Sequence, residues 1–131
     1  MIRKYTVQGA CVDVECLVMG LLENNVYLIS DGESTMVVDP SCKADAILEA
    51  LGGHKVDAIV LTAGVGENCE KMRRMIFTGL QPLGIILDEE KNRQRGFERE
   101  ISADNSPVKI IIIPTNEEYM IALDVKELLG K

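Results

Sequence analysis

Between residues 11 and 18 the chain reads Cys-Val-Asp-Val-Glu-Cys-Leu-Val, apolar and polar in alternation, which predicts a half-buried strand. Residues 26–30 and 35–39 are two β-rich runs. Asp31-Gly32-Glu33-Ser34 lies between them, so the pattern predicts an antiparallel hairpin. Residues 5–8 are a candidate edge strand. The period then changes. Ala44, Ile47, Leu48 and Leu51 recur at helical spacing and predict one face of a short helix, which Gly52-Gly53 stops. The apolar run 57–62 fits a buried strand, and 35–62 as a whole predicts a right-handed strand–helix–strand crossover.

A second helix is expected after residue 68, with Asn68 as N-cap and Met72, Met75, Ile76, Leu80 and Leu83 on its apolar stripe. Residues 88–107 hold ten charged side chains among twenty, which predicts a surface excursion with a short strand near 100–102. The run 108–113 is a buried strand that Pro114 breaks. Thr115 and Glu118 have the spacing of a capping box for a last helix, with Ile121, Val125 and Leu128 inward and Gly130 at its end. The expected fold is therefore a single α/β domain. Its mixed sheet is antiparallel in the N-terminal strands and parallel later, with about three helices.

Composition adds limits. Of 131 residues 47% are hydrophobic and 27% charged, enough to build a core and unlike a disordered chain. Aromatics are 4% with no Trp, so the core must be aliphatic. No run of about 18 apolar residues predicts a membrane span, and the N-terminus lacks a signal peptide's apolar stretch, so a cytoplasmic setting is expected. A net charge of -7 argues against nucleic acid as a partner. Residues 1–62 carry 4 basic and 9 acidic side chains, whereas 63–131 carry 10 and 12, so the charge balance shifts near residue 62. Four cysteines at 11, 16, 42 and 69 form no C-x-x-C, and Cys11 and Cys16 have opposite strand parity, which predicts reduced thiols. The lone His54, following a Gly-Gly stop, reads as a surface loop residue without ligand partners.

Two stretches resemble unrelated families. Residues 12–62 resemble the start of a metallo-β-lactamase-fold hydrolase of the glyoxalase II type. The residues that carry this are Leu22-Glu23-Asn24-Asn25-Val26-Tyr27-Leu28-Ile29-Ser30-Asp31-Gly32, then Val37-Val38-Asp39-Pro40, then Asp57-Ala58-Ile59-Val60-Leu61-Thr62. That family continues into a His-rich two-metal loop, and here the loop is Ala63-Gly64-Val65-Gly66-Glu67-Asn68, with every histidine missing. Residues 57–129 resemble the C-terminal end of acetate kinase. The match runs from Asp57-Ala58-Ile59-Val60-Leu61-Thr62-Ala63-Gly64-Val65-Gly66-Glu67-Asn68 through Gly79-Leu80-Gln81-Pro82-Leu83-Gly84-Ile85 and Asp88-Glu89-Glu90-Lys91-Asn92. It ends at Ile113-Pro114-Thr115-Asn116-Glu117-Glu118-Tyr119-Met120-Ile121-Ala122. The strand 57–62 fits both families, so the chain reads as a chimera joined there.

The hydrolase resemblance implies a metal site that this chain cannot build, and it assigns Asp39 a structural role. The kinase resemblance implies that Gly64, Val65, Gly66 and Asn68 contact nucleotide and that Glu117 helps hold Mg²⁺ near the phosphates. No cofactor is then required, and Mg-ATP is the one the resemblance allows. Glycines that let backbone approach a ligand fit that role. The family's phosphate loop, active-site arginines and acetate pocket come from segments not matched here. Arg73, Arg74, Arg93, Arg95 and Arg99 do not match them, and solvation on helix surfaces is expected to account for most of these charges. The leading expectation is a non-catalytic folded chimera. The alternatives are a weak nucleotide-binding module and an acetate kinase-related phosphotransferase. Apolar surface left uncovered, and the dimers that acetate kinases form, imply a homodimer.

Overall fold

Among the described residues seven strands align in the order β1-β2-β3-β4-β5-β7-β6. The computed structural model describes residues 2–6, 11–41 and 43–130; the side chains of residues 2–6 and of Val65 are not described. β1 (Ile2–Thr6), β2 (Asp13–Met19), β3 (Asn24–Ser30) and β4 (Thr35–Val38) form an antiparallel meander. The β3–β4 turn is closed by the Asp31 carboxylate, which accepts the N–H of Glu33 at 3.0 Å and of Ser34 at 2.7 Å. α1 (Ala44–Leu51) then returns the chain to β5 (Ala58–Leu61), parallel to β4, and β7 (Lys109–Ile112) lies parallel to β5. β6 (Arg99–Glu100) closes the far edge antiparallel to β7. The edge strand expected at 5–8 begins earlier, at Ile2, and residues 7–10 lie outside the described residues, as does Cys42.

Among the described residues five helices stand where about three were expected. The second expected helix divides into α2 (Ala63–Asn68) and α3 (Glu70–Gly79). Asn68 is the last residue of α2 rather than a cap, and Cys69, in extended backbone, separates the two. A 3-10 turn over Gln81–Leu83 follows. The charged excursion contains α4 (Glu89–Arg93), capped by Asp88, whose carboxylate accepts the N–H of Glu90 and Lys91 at 2.9 Å. This stretch is more than a surface loop, because Asn92, Ile101 and Ser102 are fully buried. α5 (Glu117–Leu128) is capped by Asn116, which accepts the Tyr119 N–H at 2.9 Å, and not by the expected Thr115–Glu118 pair.

Strand parity sorts the sheet into two faces. The first carries Leu17, Val26, Leu28, Val37, Ile59, Leu61, Ile110 and Ile112, all buried. α1 covers it with Ala44, Ile47 and Leu51, and α3 with Ile76 and Phe77, so a continuous aliphatic core forms. The helices meet closely: a Cβ placed on Gly79 would lie 2.8 Å from Ala44 Cβ, so Gly79 is needed for this crossing. The inward stripe of α3 is Arg73, Ile76 and Phe77, continued by Leu80, whereas Met75 is exposed.

The second face is also apolar. Cys16, Tyr27, Val38, Val60 and Ile111 form one cross-strand row, and Ile29, Met36 and Ala58 the next. None of them belongs to the core cluster. α5 does not cover them, because every residue from Glu117 to Leu128 is exposed. The inward placement expected for Ile121, Val125 and Leu128 is therefore corrected. The helix projects from the end of β7 without packing on the sheet.

Candidate functional site

In open α/β sheets ligands bind where the parallel strands end at their carboxyl side. Here β4, β5 and β7 end together, and the three segments that leave them are tied to one another. After β4, Asp39 adopts φ +52, and its N–H donates to Val60 O at 2.9 Å. Its carboxylate accepts the Thr62 N–H at 2.6 Å and the Thr62 hydroxyl. Asp39 is thus a strut between two strand ends, the structural role expected for it.

Beyond Thr62 the chain turns at Ala63, φ +60, directly into α2. Gly64, Val65 and Gly66 are therefore inside this short helix, and not in a loop ahead of one. The two glycines differ physically. A Cβ on Gly66 would sit 3.2 Å from Leu61 Cβ, so its smallness lets α2 lie against β5. A Cβ on Gly64 would meet nothing within 4 Å, and the residue is exposed. Packing within the chain explains Gly66 and leaves Gly64 unexplained. Asn68 is exposed at the end of the helix.

Two arginines hold α2 from its carboxyl end. Arg73 is 2% exposed. Its Nη1 donates to Gly66 O at 2.9 Å and to Glu67 O at 3.0 Å, its Nε to Asn92 Oδ1 at 2.7 Å and its Nη2 to Asn92 O at 2.6 Å. Arg99 Nη2 reaches Glu67 O at 3.3 Å. Cations at a helix carboxyl end satisfy its free carbonyls and its dipole. Burial, and then the nearby Arg99 charge, push the Arg73 pKa down. Arg73 is therefore not a solvated surface charge as expected, but the buried anchor of α2. Its position one turn before Ile76 and Phe77 carries that signal in the sequence, although charge alone suggested solvent.

Glu67 closes the arrangement. Its Oε1 accepts the Thr115 N–H at 2.9 Å and the Thr115 hydroxyl at 3.2 Å, across 48 residues of sequence. This places the start of α5, with Glu117 in its first turn, beside α2. Gly64, Asn68 and Glu117 thus stand at one end of the sheet, and all three are exposed. No group of three or more His, Cys, Asp or Glu side chains that could hold a metal occurs among the described residues, around Glu117 or elsewhere. His54 is exposed at the opposite end of β5, after α1. Cys11 is exposed, Cys16 buried and Cys69 half-buried, all as free thiols.

This is an α/β protein in which α2 and the β7–α5 turn are tied together at the carboxyl end of the parallel strands. The chain belongs to the Acetokinase family, whose model matches residues 42–123. It is 58% identical over 84 residues to the acetate kinase of Caldanaerobacter subterraneus, covering 64% of this chain and 20% of that protein. With the acetate kinase of Clostridium botulinum it shares 57% over 76 residues, 58% of this chain and 19% of the relative. The crystal structure of Porphyromonas gingivalis acetate kinase superposes with a TM-score of 0.52 at 42% identity, over 65% of this chain and 21% of that one. That of Entamoeba histolytica acetate kinase gives 0.53 at 27% identity, over 64% and 23%. The chain thus spans about a fifth of the length of the relatives it matches. The family match begins at residue 42, at the foot of α1, and not at 57 as expected, so residues 42–56 belong with the kinase-like part. No helix among the described residues is long and apolar enough to cross a membrane.

Proposed function

We propose that the chain carries the nucleotide-facing segment of an acetate kinase-type phosphotransferase, and that alone it binds Mg-ATP weakly without turnover. The observation that carries this reading is Gly64, exposed and unobstructed within a helix that Arg73 and Glu67 fix in place. Gly64, Val65, Gly66 and Asn68 would line the nucleotide, with Gly66 also packing on Leu61. Mg²⁺ bound to the phosphates would neutralise charge beside Glu117 and accept its carboxylate as an outer partner. Glu67, Glu117 and Glu118 make this edge acidic, so the metal-free nucleotide is disfavoured there. Phosphoryl transfer needs free cations and a held acceptor around the transferring group. Arg73 is buried against carbonyls and Arg74 is paired with Glu89 at 2.6 Å, so neither supplies such a cation.

The test is ligand-detected NMR with ATP, with and without Mg²⁺, beside a hydroxamate assay for acetyl phosphate. Binding with a dissociation constant of about 0.1–1 mM is expected, since one wall of a cleft leaves the ligand solvated. Gly64→Val should abolish the signal while helix content is unchanged, and Glu117→Gln should remove the Mg²⁺ dependence. No saturation transfer at millimolar Mg-ATP refutes the reading, and acetyl phosphate formed above background refutes its non-catalytic part.

The meander β1–β4 lies ahead of the family match. We propose for it the hydrolase-like origin that residues 12–41 suggest, joined to the kinase-family part at the β4–α1 turn. The single domain and a cytoplasmic setting go with this reading. A metal centre does not, because His54 stands alone. Elemental analysis giving about one zinc, iron or manganese per chain after dialysis would sink it.

A further inference from the structure

We propose that the cavity between the end of α1 and the turn after α3 binds a small amphipathic anion, an apolar chain of about six to ten carbons that carries one carboxylate. The cavity precedes β5 whereas Gly64 follows it, so the two sites lie at opposite ends of that strand. The inference does not rest on nucleotide binding.

The cavity has a volume of 370 Å³, inside the range of about 300–1,000 Å³ that small-molecule sites occupy. Its walls are apolar: Leu48 and Leu51 of α1, Val56 just ahead of β5, and Pro82 and Leu83 of the 3-10 turn. Both rims are hydrogen-bonded turns. On one side Gly52 and Gly53 take φ +57 and +83, and the His54 N–H donates to Leu51 O at 2.9 Å. On the other the Leu83 N–H donates to Leu80 O at 3.0 Å and the Gly84 N–H to Gln81 O at 2.9 Å. The walls are therefore in place before a ligand arrives, which lowers the cost of binding. These backbone donors are already used, so recognition of a polar group falls to side chains.

The side chains select an anion. No acidic residue lines the cavity, and its two cationic or donor side chains are His54 and Lys55. Among the described residues the His54 ring has no hydrogen-bond partner. Lys55 Nζ pairs with Asp57 Oδ1 at 3.0 Å, but the Lys55 side chain is 79% exposed, and a pair in that setting is worth little. Asp57 keeps the Thr35 N–H at 3.0 Å when Lys55 turns away, so no acceptor is stranded. A carboxylate held by His54 and Lys55 sends its chain between Leu51 and Leu83. An alcohol of the same length leaves the Lys55 charge unmatched, and an amine is repelled by it.

The test uses the full nitrogen-15-labelled chain with octanoate, and octanol and octylamine as the contrasting heads. Octanoate should bind in the millimolar range, shifting the amide signals of Gly53, His54, Val56 and Leu83 and leaving those of Gly64 and Asn68 in place. From butyrate through hexanoate to octanoate, affinity should rise by about two- to fourfold per methylene, as burial of an apolar chain requires. Lys55→Glu, at an exposed position, should weaken octanoate by about tenfold or more and make octylamine the tighter ligand, with circular dichroism unchanged. Equal affinity for butyrate and octanoate would mean a surface ion pair and overturn the proposal. So would octanol binding as tightly as octanoate, an octanoate affinity unchanged in Lys55→Glu, or no shifts at these amides at about 10 mM octanoate.

Discussion

Arg73→Met removes a buried guanidinium and keeps most of its apolar stem. Four hydrogen bonds are lost at once, to Gly66 O, Glu67 O, Asn92 Oδ1 and Asn92 O, between 2.6 and 3.0 Å. Bonds to a charged donor are worth about 1.5–3 kcal/mol each, and an acceptor left buried without a partner costs about 1–3 kcal/mol. The terms are not additive, because Arg99 still reaches Glu67 O and water can enter where α2 meets solvent. The guanidinium's own desolvation, visible in its lowered pKa, is also relieved. The expected loss is about 3–5 kcal/mol, a large share of the roughly 5–15 kcal/mol of a typical domain. Urea unfolding followed by circular dichroism would show it as a lower midpoint at unchanged slope. Arg74→Met, one residue along the same helix, is the control. Its bidentate pair with Glu89 is solvent-exposed, so the midpoint should stay near that of the parent. Equal midpoints for the two variants would refute the claim that Arg73 anchors α2.

Ile59 is fully buried in the central strand, so Ile59→Ala should cost about 2–5 kcal/mol in a single thermal transition, and two separate transitions by calorimetry would contradict one domain. Gly79→Ala should destabilise by about 1–3 kcal/mol through its clash with Ala44, while Gly64→Ala, which meets nothing, should leave packing unaffected; chemical denaturation of the pair tests this contrast. The Glu100 carboxyl is held below its ordinary range by the Ser102 hydroxyl and by Lys109, and that of Glu89 by Arg74. A lowered carboxyl pKa stabilises above the unfolded value and loses its effect as pH falls through the folded one. Stability should therefore decline below about pH 4, and Glu100→Gln should flatten that decline in an acid titration followed by circular dichroism.

The order of elements was legible because each carries its own period. Alternation marked β2 and the β3–β4 hairpin, the i, i+3, i+4 spacing marked α1, and continuous apolar runs marked β5 and β7. Local chemistry supported these, as when Asp31 closes its turn through two neighbouring N–H groups. The glycine-bearing segment 64–68 and Glu117 were also visible as a motif, since their order along the chain carries the family likeness. What depended on tertiary contact was not legible. Asn68 had the composition of a cap, yet the capping position fell on Cys69 once α2 closed against Leu61. Arg73 looked like a surface charge until carbonyls 6, 7 and 19 residues away converged on it. Glu67 meets Thr115 across 48 residues, and no local spacing encodes that bond. The inward stripe expected for α5 failed for the same reason: an apolar face states only that a helix needs a cover, and the tertiary structure decides which surface provides it. Which segments become strands and helices, and which sides of them are apolar, followed from neighbouring residues alone, because those are near-neighbour properties. The tertiary structure alone decided which polar groups are buried, tied and withdrawn from chemistry, because a hydrogen bond between distant segments exists only after the sheet has brought them together.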